Sequence, residues 1–265
     1  MRIFETHCHI AGSQFDSDRT EMIRRAQEAG VQRALVVADP CEETPNQTAV
    51  FHLLEQYDFL YAAIGVHPHN ACRYDDTSEN LLLRYIRHPK CVLWGEIGLD
   101  YHYDFSPRDV QCRVFERQLT LARQQDLPVQ LHIREAHGDC MELLRARART
   151  GDMPGGIMHC FTGSWESAKV YLDLGLYISL SGAVTFKNAP KLAEVAQKVP
   201  ADRLLIETDC PYMAPVPLRG KRNEPSFLVH TLYKVAELRG EAPEQLAEQL
   251  WANSLAALRL TERTN

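Results

Sequence analysis

The sequence predicts an α/β fold, a (β/α)8 TIM barrel, on three observations. Short apolar, β-branched runs alternate with segments of helical periodicity along the whole chain. The 265 residues match what one such barrel consumes, so residues 1–265 are expected to form a single domain. The runs end, one after another, in residues able to bind a metal ion. A doubly wound open sheet would show much of the same alternation; the strand ends favour the barrel.

The expected strands are Arg2–Thr6, Arg33–Ala38, Leu60–Val66, Val92–Glu96, Val129–His132, Gly156–His159, Tyr177–Leu180 and Leu204–Glu207. Between them the spacing predicts helices over Asp18–Ala29, Thr44–Gln56, Ser78–Arg87, Arg108–Asp126, Glu135–Arg149, Ser164–Leu174 and Ala189–Val199. Gly30 and Gly175 follow two of them, as a left-handed C-cap prefers. After the last strand come a proline-rich loop, Pro211 to Pro225, and helical stretches over Ser226–Arg239 and Pro243–Leu258 that would close the barrel. Neither an internal repeat nor a low-complexity tract divides the chain.

Composition narrows the function. With 29 basic and 35 acidic residues the net charge is -6, so no global positive field exists to hold a long nucleic acid by counterion release. A phosphate-bearing substrate must be gripped locally, and bound metal ions reverse the sign of a carboxylate-lined pocket. The eight cysteines contain no C-x-x-C pair, which argues against a thiolate zinc site or a secreted disulfide framework. The N-terminus lacks the apolar stretch of a signal peptide, and no run of about 18 apolar residues occurs. The expectation is a cytoplasmic protein with no membrane partner.

His7 and His9 follow the first strand, His67 the third, Glu96 closes the fourth, His132 the fifth and His159 the sixth; Asp209 lies just beyond the eighth. In a parallel barrel all these ends share the C-terminal rim, where barrel active sites are assembled. The period of two in an extended strand puts the His7 and His9 imidazoles on one side and Cys8 on the other. His132 and His159 add nitrogen donors, Glu96 has two oxygens with which to bridge two metals, and Asp209 is placed both to ligate and to accept a proton from water. A lone histidine at a strand end is usually a hydrogen-bonded structural residue. Six potential ligands all falling at strand C-termini are not what chance placement produces, and a pair of divalent ions about 3.5–4 Å apart is the expected occupant. His69, in Gly65-Val66-His67-Pro68-His69, is ambiguous, and His67 is assigned to substrate phosphate or to a metal shell.

These residues sit in segments that together identify a family. Thr6-His7-Cys8-His9, Gly65-Val66-His67-Pro68-His69, Gly95-Glu96-Ile97-Gly98-Leu99-Asp100-Tyr101, Leu131-His132-Ile133-Arg134-Glu135-Ala136, Met158-His159-Cys160-Phe161-Thr162-Gly163, Leu205 to Tyr212 and Arg222-Asn223-Glu224-Pro225 resemble the TatD deoxyribonucleases over essentially the whole chain. The resemblance implies an amidohydrolase-like (β/α)8 barrel, two or three divalent metal ions (Mg, Mn or Zn), and hydrolysis of DNA phosphodiesters, in some members from the 3′ end, with roles in DNA repair. It implies that His7, His9, Glu96, His132, His159 and Asp209 are the ligands, with Glu96 bridging and Asp209 orienting or deprotonating the attacking water. Glu207 points to the same side as Asp209 and is either a further ligand or a buried paired carboxylate. The sequence departs from the family at Glu5, where aspartate is usual; the extra methylene bears on the support of the first histidine pair.

Arg134 is placed to grip a flanking phosphate with its planar fork, or to cap a helix. Tyr101, Tyr103, Phe105, Phe161, Trp165, Phe186 and Tyr212 fall near the rim, where aromatic faces stack unpaired bases; core packing explains some equally well. Lys187 and Arg219-Gly220-Lys221-Arg222 are the local basic features. A single-stranded or frayed DNA end is the expected substrate and a monomer the expected state. The alternatives are a metal hydrolase of a small phosphoester, lactone or cyclic amide, since fold alone does not choose among chemistries, and a non-enzymatic scaffold, which would have no need of six ligand positions.

Overall fold

The computed structural model describes residues 1–42 and 46–262. Eight parallel strands follow one another around the sheet in chain order: β1 Ile3–Cys8, β2 Val31–Ala38, β3 Leu60–Ile64, β4 Cys91–Asp100, β5 Val129–Arg134, β6 Gly156–Met158, β7 Tyr177–Leu180 and β8 Leu204–Ile206. The ring closes between β8 and β1 through a bridge of Cys8 with Cys210, with Asp209 N donating to His7 O (3.1 Å) and His9 N to Cys210 O (2.9 Å). This is the predicted barrel.

The strands read as apolar runs because both faces are covered. β1 and β4 are buried at every position. The helices are α1 Arg19–Glu28, α2 Gln47–Gln56, α3 Asp76–Tyr85, α4 Arg108–Gln124, α5 His137–Arg149, α6 Trp165–Asp173, α7 Pro190–Lys198, α8 Leu228–Arg239 and α9 Pro243–Ala257. Local chemistry sets their ends. Asp75 and Ser78 form a reciprocal capping box that starts α3 two residues earlier than the spacing predicts. Glu135 lies at φ +54, outside helical space, so α5 begins at His137 rather than at Glu135. Gly240, at φ +65, ends α8 as a left-handed cap. Thr44, the predicted start of the second helix, lies outside the described residues.

Strands and helices share one large apolar core, and a second cluster joins Phe4, Leu35, Leu93, Ile157 and Leu205 to Trp251, Leu255 and Leu258 of α9 and the turn after it. α9 packs on β1 and β8, across the seam where the barrel closes. Among the described residues no helix is long and apolar enough to cross a membrane.

One strand departs from expectation in a way that matters. β4 does not end at Glu96; it continues through Ile97-Gly98-Leu99-Asp100, with an irregularity in its pairing to β5 between Trp94 and Ile97. Gly98 then faces His132 across the ladder, and a Cβ there would lie 2.0 Å from the His132 carbonyl oxygen. Glycine allows β4 and β5 to pack that closely.

Candidate metal centre

The C-terminal ends of β1, β4, β5, β6 and β8 bring the six predicted ligands into one cluster. Glu96 is its hub. Its Oε1 lies 2.8 Å from His132 Nδ1, 3.1 Å from His159 Nε2 and 3.6 Å from His67 Nε2, while Oε2 lies 3.6 Å from His7 Nε2. On the β1 side His7 Nε2 is 2.9 Å from His9 Nε2, and Asp209 Oδ1 is 3.5 Å from His7 Nε2 and 3.6 Å from His9 Nε2. The His7 and His159 rings stack at 3.6 Å. His7, His9 and Glu96 form one compact donor set, and Glu96, His132 and His159 another.

Buried partners behind the cluster fix which nitrogens face it. Gln130 Nε2 donates to Thr6 O (2.9 Å), so its Oε1 must be the atom 2.9 Å from His7 Nδ1. The amide oxygen has no proton, so Nδ1 carries the hydrogen and Nε2 presents a bare lone pair to the cluster. On the other flank, Glu207 Oε1 lies 2.7 Å from His159 Nδ1. Its two oxygens also accept from Cys160 N and Ser179 Oγ, at 2.6 Å each. Asp100 Oδ2 touches His132 Nε2 (3.0 Å) and His69 Nε2 (2.8 Å). Asp39 accepts from His67 N (3.0 Å) and Asn70 Nδ2 (2.8 Å), anchoring the turn that carries His67.

The electrostatics follow from crowding and burial. Burial, reinforced by His159, pushes the His7 imidazole down to about 3, so it is neutral. Burial alone would raise Glu96, but His159, His67 and His7 outweigh it and hold the carboxyl well below the usual range. The same contest, with His9 the largest opposing influence, keeps Asp209 below its ordinary value. Asp209 also sits at φ +56, a conformation an aspartate holds only when its surroundings fix it; its N–H is given to His7 O and its C=O accepts from Tyr212 N. The neighbouring carboxylates work the other way on the remaining imidazoles: against burial, Asp209 raises His9, Asp100 and Glu96 raise His132, and Glu207 and Glu96 raise His159 well above the ordinary value, so the carboxylates hold positive charge on histidine protons that a bound cation would displace. That donor set fits divalent metal ions, which supply positive charge in place of those protons.

The other predicted residues fall elsewhere. Arg134 is outside the cluster, with its guanidinium carbon 4.7 Å from the Tyr103 ring centroid. Of the seven rim aromatics, Tyr103, Phe105 and Tyr212 are exposed, whereas Phe161 is buried and Tyr101 gives its hydroxyl to Asp139. Arg222 is committed to a two-pronged pair with Asp18, at 2.7 and 2.8 Å, and Arg219 lies over Phe186. Glu5 does not touch the imidazoles. Its carboxyl accepts from His7 N and Thr208 N, and burial pushes it up to about 8. The support of His7 falls to Gln130 instead. Gln130 and Asp100 are the residues sequence reasoning missed. A glutamine between Val129 and Leu131 in a buried strand was one available signal; the step of two from Glu96 through Gly98 to Asp100 was the other.

Residues 4–259 match the family model described as TatD related DNase. An uncharacterized metal-dependent hydrolase, YabD, of Bacillus subtilis (strain 168) is 43% identical over 260 residues, covering 97% of this chain and 99% of that protein. A 3′-5′ ssDNA/RNA exonuclease TatD of Rahnella sp. (strain Y9602) is 38% identical over 251 residues, covering 93% of this chain and 94% of that protein. Among solved structures, the TatD homolog YJJV from Escherichia coli K12 superposes with a TM-score of 0.89 at 33% identity, covering 98% of this chain and 99% of that one.

Proposed function

The chain belongs to the TatD-related DNase family and is a metal-dependent hydrolase of ester bonds, and from that premise we propose that it acts, as a single barrel domain, as a deoxyribonuclease on the 3′ ends of single-stranded or frayed DNA. The observation that carries this reading is the convergence of six donor side chains at the barrel rim, with Glu96 as their hub.

In this reading His7, His9, Glu96, His132, His159 and Asp209 would hold two divalent ions, Mg, Mn or Zn, and Glu96 belongs to both compact donor sets. Such a pair, when bound, makes water acidic near neutrality and offsets charge on the attacked phosphate. Asp209, kept ionised by its histidine neighbours, accepts the proton of the attacking water. Gln130 and Glu207 hold the imidazoles of His7 and His159 in register, and Glu207, with both oxygens already engaged, is the partner of His159 rather than a ligand of a third ion. His67, beside Glu96, and Arg134, on the rim, take the phosphates flanking the cut. The eight cysteines are all unpaired thiols, which supports a reducing, cytoplasmic setting; the protein is taken to work there as a monomer, in DNA repair.

The test uses 3′-labelled and 5′-labelled single-stranded DNA with the metal-stripped protein, restored with Mg, Mn or Zn in turn, beside Asp209→Asn. Stepwise shortening from the 3′ end is expected, with a loss of about 10²- to 10⁴-fold in the variant. No cleavage by a protein that nevertheless binds metal would overturn the DNA assignment and move the search to a small phosphoester, lactone or cyclic amide.

A further inference from the structure

Tyr103 and Phe105, in the loop between β4 and α4, are 49% and 66% exposed, and their rings lie parallel, 13° apart in plane with centroids separated by 5.3 Å. Water is a poor environment for so much apolar ring, and a flexible loop would fold it away. This loop is not free to do so. Asp100 Oδ1 accepts from His102 N and Tyr103 N, at 3.0 Å each. Ser106 Oγ donates to His69 O (2.9 Å) and accepts from Cys72 N (3.0 Å). Gln111 Nε2 donates to Asp100 O and Ser106 O, and the His102 ring reaches Glu135 at 2.8 Å. The loop is pinned at both ends and holds its rings out in a fixed pose.

The pose is tied to the metal centre. His69 meets both rings edge-on, with centroids 5.3 Å from Tyr103 and 4.9 Å from Phe105. The same imidazole contacts Asp100 Oδ2, which contacts His132, a neighbour of Glu96. One carboxylate therefore positions a candidate ligand through one oxygen and the exposed aromatic pair through the other. Arg134, which enters no ion pair among the described residues, adds positive charge beside Tyr103. A flat aromatic face and a nearby guanidinium, joined to the candidate metal centre through His69, Asp100 and His132, describe a particular guest.

We propose that Tyr103 and Phe105 form a stacking platform for an unpaired nucleobase next to the phosphodiester being cut, with Arg134 holding that nucleotide's phosphate. The inference rests on the nuclease reading and deepens it. In a duplex both faces of an internal base are covered by its neighbours, so the platform selects single-stranded ends, and it does so without sequence preference because every base has a π-face. It also accounts for binding by an acidic protein, since stacking requires no positive field.

The test is fluorescence of metal-loaded protein with short phosphorothioate-linked single strands, which resist hydrolysis, carrying 2-aminopurine at the last or penultimate 3′ position. Wild type is expected to quench the emission on binding. Phe105→Ala, at a position too exposed to endanger folding, is expected to lose most of the quenching and to bind about 5- to 100-fold more weakly, while Phe105→Trp restores both. Unquenched binding by wild type, or wild-type behaviour of Phe105→Ala, overturns the platform. The two readings separate: quenching that depends on Phe105, without cleavage of ordinary DNA, keeps the platform and sinks the nuclease, and cleavage without quenching does the reverse.

Discussion

Gln130→Leu isolates what the buried amide behind His7 contributes to metal binding. Leucine has similar volume and no polar atom, so the packing of β5 is kept while two contacts vanish: His7 Nδ1 loses its acceptor and Thr6 O its donor. The two losses report differently. The orphaned Thr6 carbonyl costs about 1–3 kcal/mol of fold stability whether or not metal is present. The freed His7 ring is no longer held in the tautomer whose Nε2 faces the cluster, and that cost appears only in metal affinity. Removing such a supporting hydrogen bond typically weakens metal binding about 10- to 100-fold, or about 1.4–2.7 kcal/mol. Competition against a chromophoric chelator for Zn or Mn measures the second effect, and urea unfolding of the metal-free protein the first. Gln130→Glu, which keeps an acceptor toward Nδ1 but abandons Thr6 O, should bind metal nearly as well as wild type while unfolding more easily. Unchanged affinity in the leucine variant, or equal weakening in both, would refute the assignment of His7 Nε2 as the inward-facing nitrogen.

Metal itself should stabilise the fold. At about 100 times its dissociation constant a bound ion contributes about 2.7 kcal/mol, so restoring Mn or Zn to stripped protein should raise the thermal midpoint by several degrees, and should do so far less in Glu96→Gln; an unmoved wild-type midpoint contradicts the site. Burial pushes the Asp39 carboxyl up to about 6 from an ordinary value near 3.8. A carboxyl raised in the fold binds its proton more tightly there than in the unfolded chain, so its contribution is complete below the unfolded value and is lost as pH rises through about 6. Asp39→Asn should be less stable throughout, because Oδ2, which accepts from His67 N and Asn70 Nδ2, becomes a donor. The gap in urea midpoint between wild type and variant should nevertheless narrow from about pH 4.5 to about pH 7. A gap that stays constant or widens contradicts the buried, proton-holding carboxyl.

The barrel was legible because its signal is repeated: each apolar run is short, each is followed by a turn, and the polar residues that interrupt the pattern fall at the same place in successive repeats. The cluster of candidate ligands was legible for the same reason. What escaped was the information held by pairs of elements. Glu96 reads as a strand end because it is the first charge after Cys91, yet the irregular pairing with β5 carries the strand past it to Asp100. Gln130 looks like an isolated polar residue until β1 lies beside it. Arg222 reads as part of a basic surface run, and only tertiary structure brings Asp18 to neutralise it. Glu5 reads as a longer aspartate turned toward the histidines, whereas its carboxyl is satisfied by backbone N–H groups of β1 and of the turn after β8. Periodicity finds faces and ends, and it is silent on which neighbour a given face meets.

The seam between β1 and β8 gives the centre a position in time as well as in space. His7 and Asp209 are about two hundred positions apart in sequence, and the hydrogen bonds that join their backbones are the same ones that close the ring. A chain still being synthesised can pair β1 through β7, but it lacks Asp209 and the strand that presses His7 into place. Chain elongation proceeds at about 5–20 residues per second, so for about 2.5–10 seconds after His159 is added the growing chain has its four candidate histidine ligands and Glu96 but not Asp209. Under the proposed mechanism hydrolytic competence arrives with the final closure, and a molecule that stalls before β8 carries five of the six candidate ligands without Asp209.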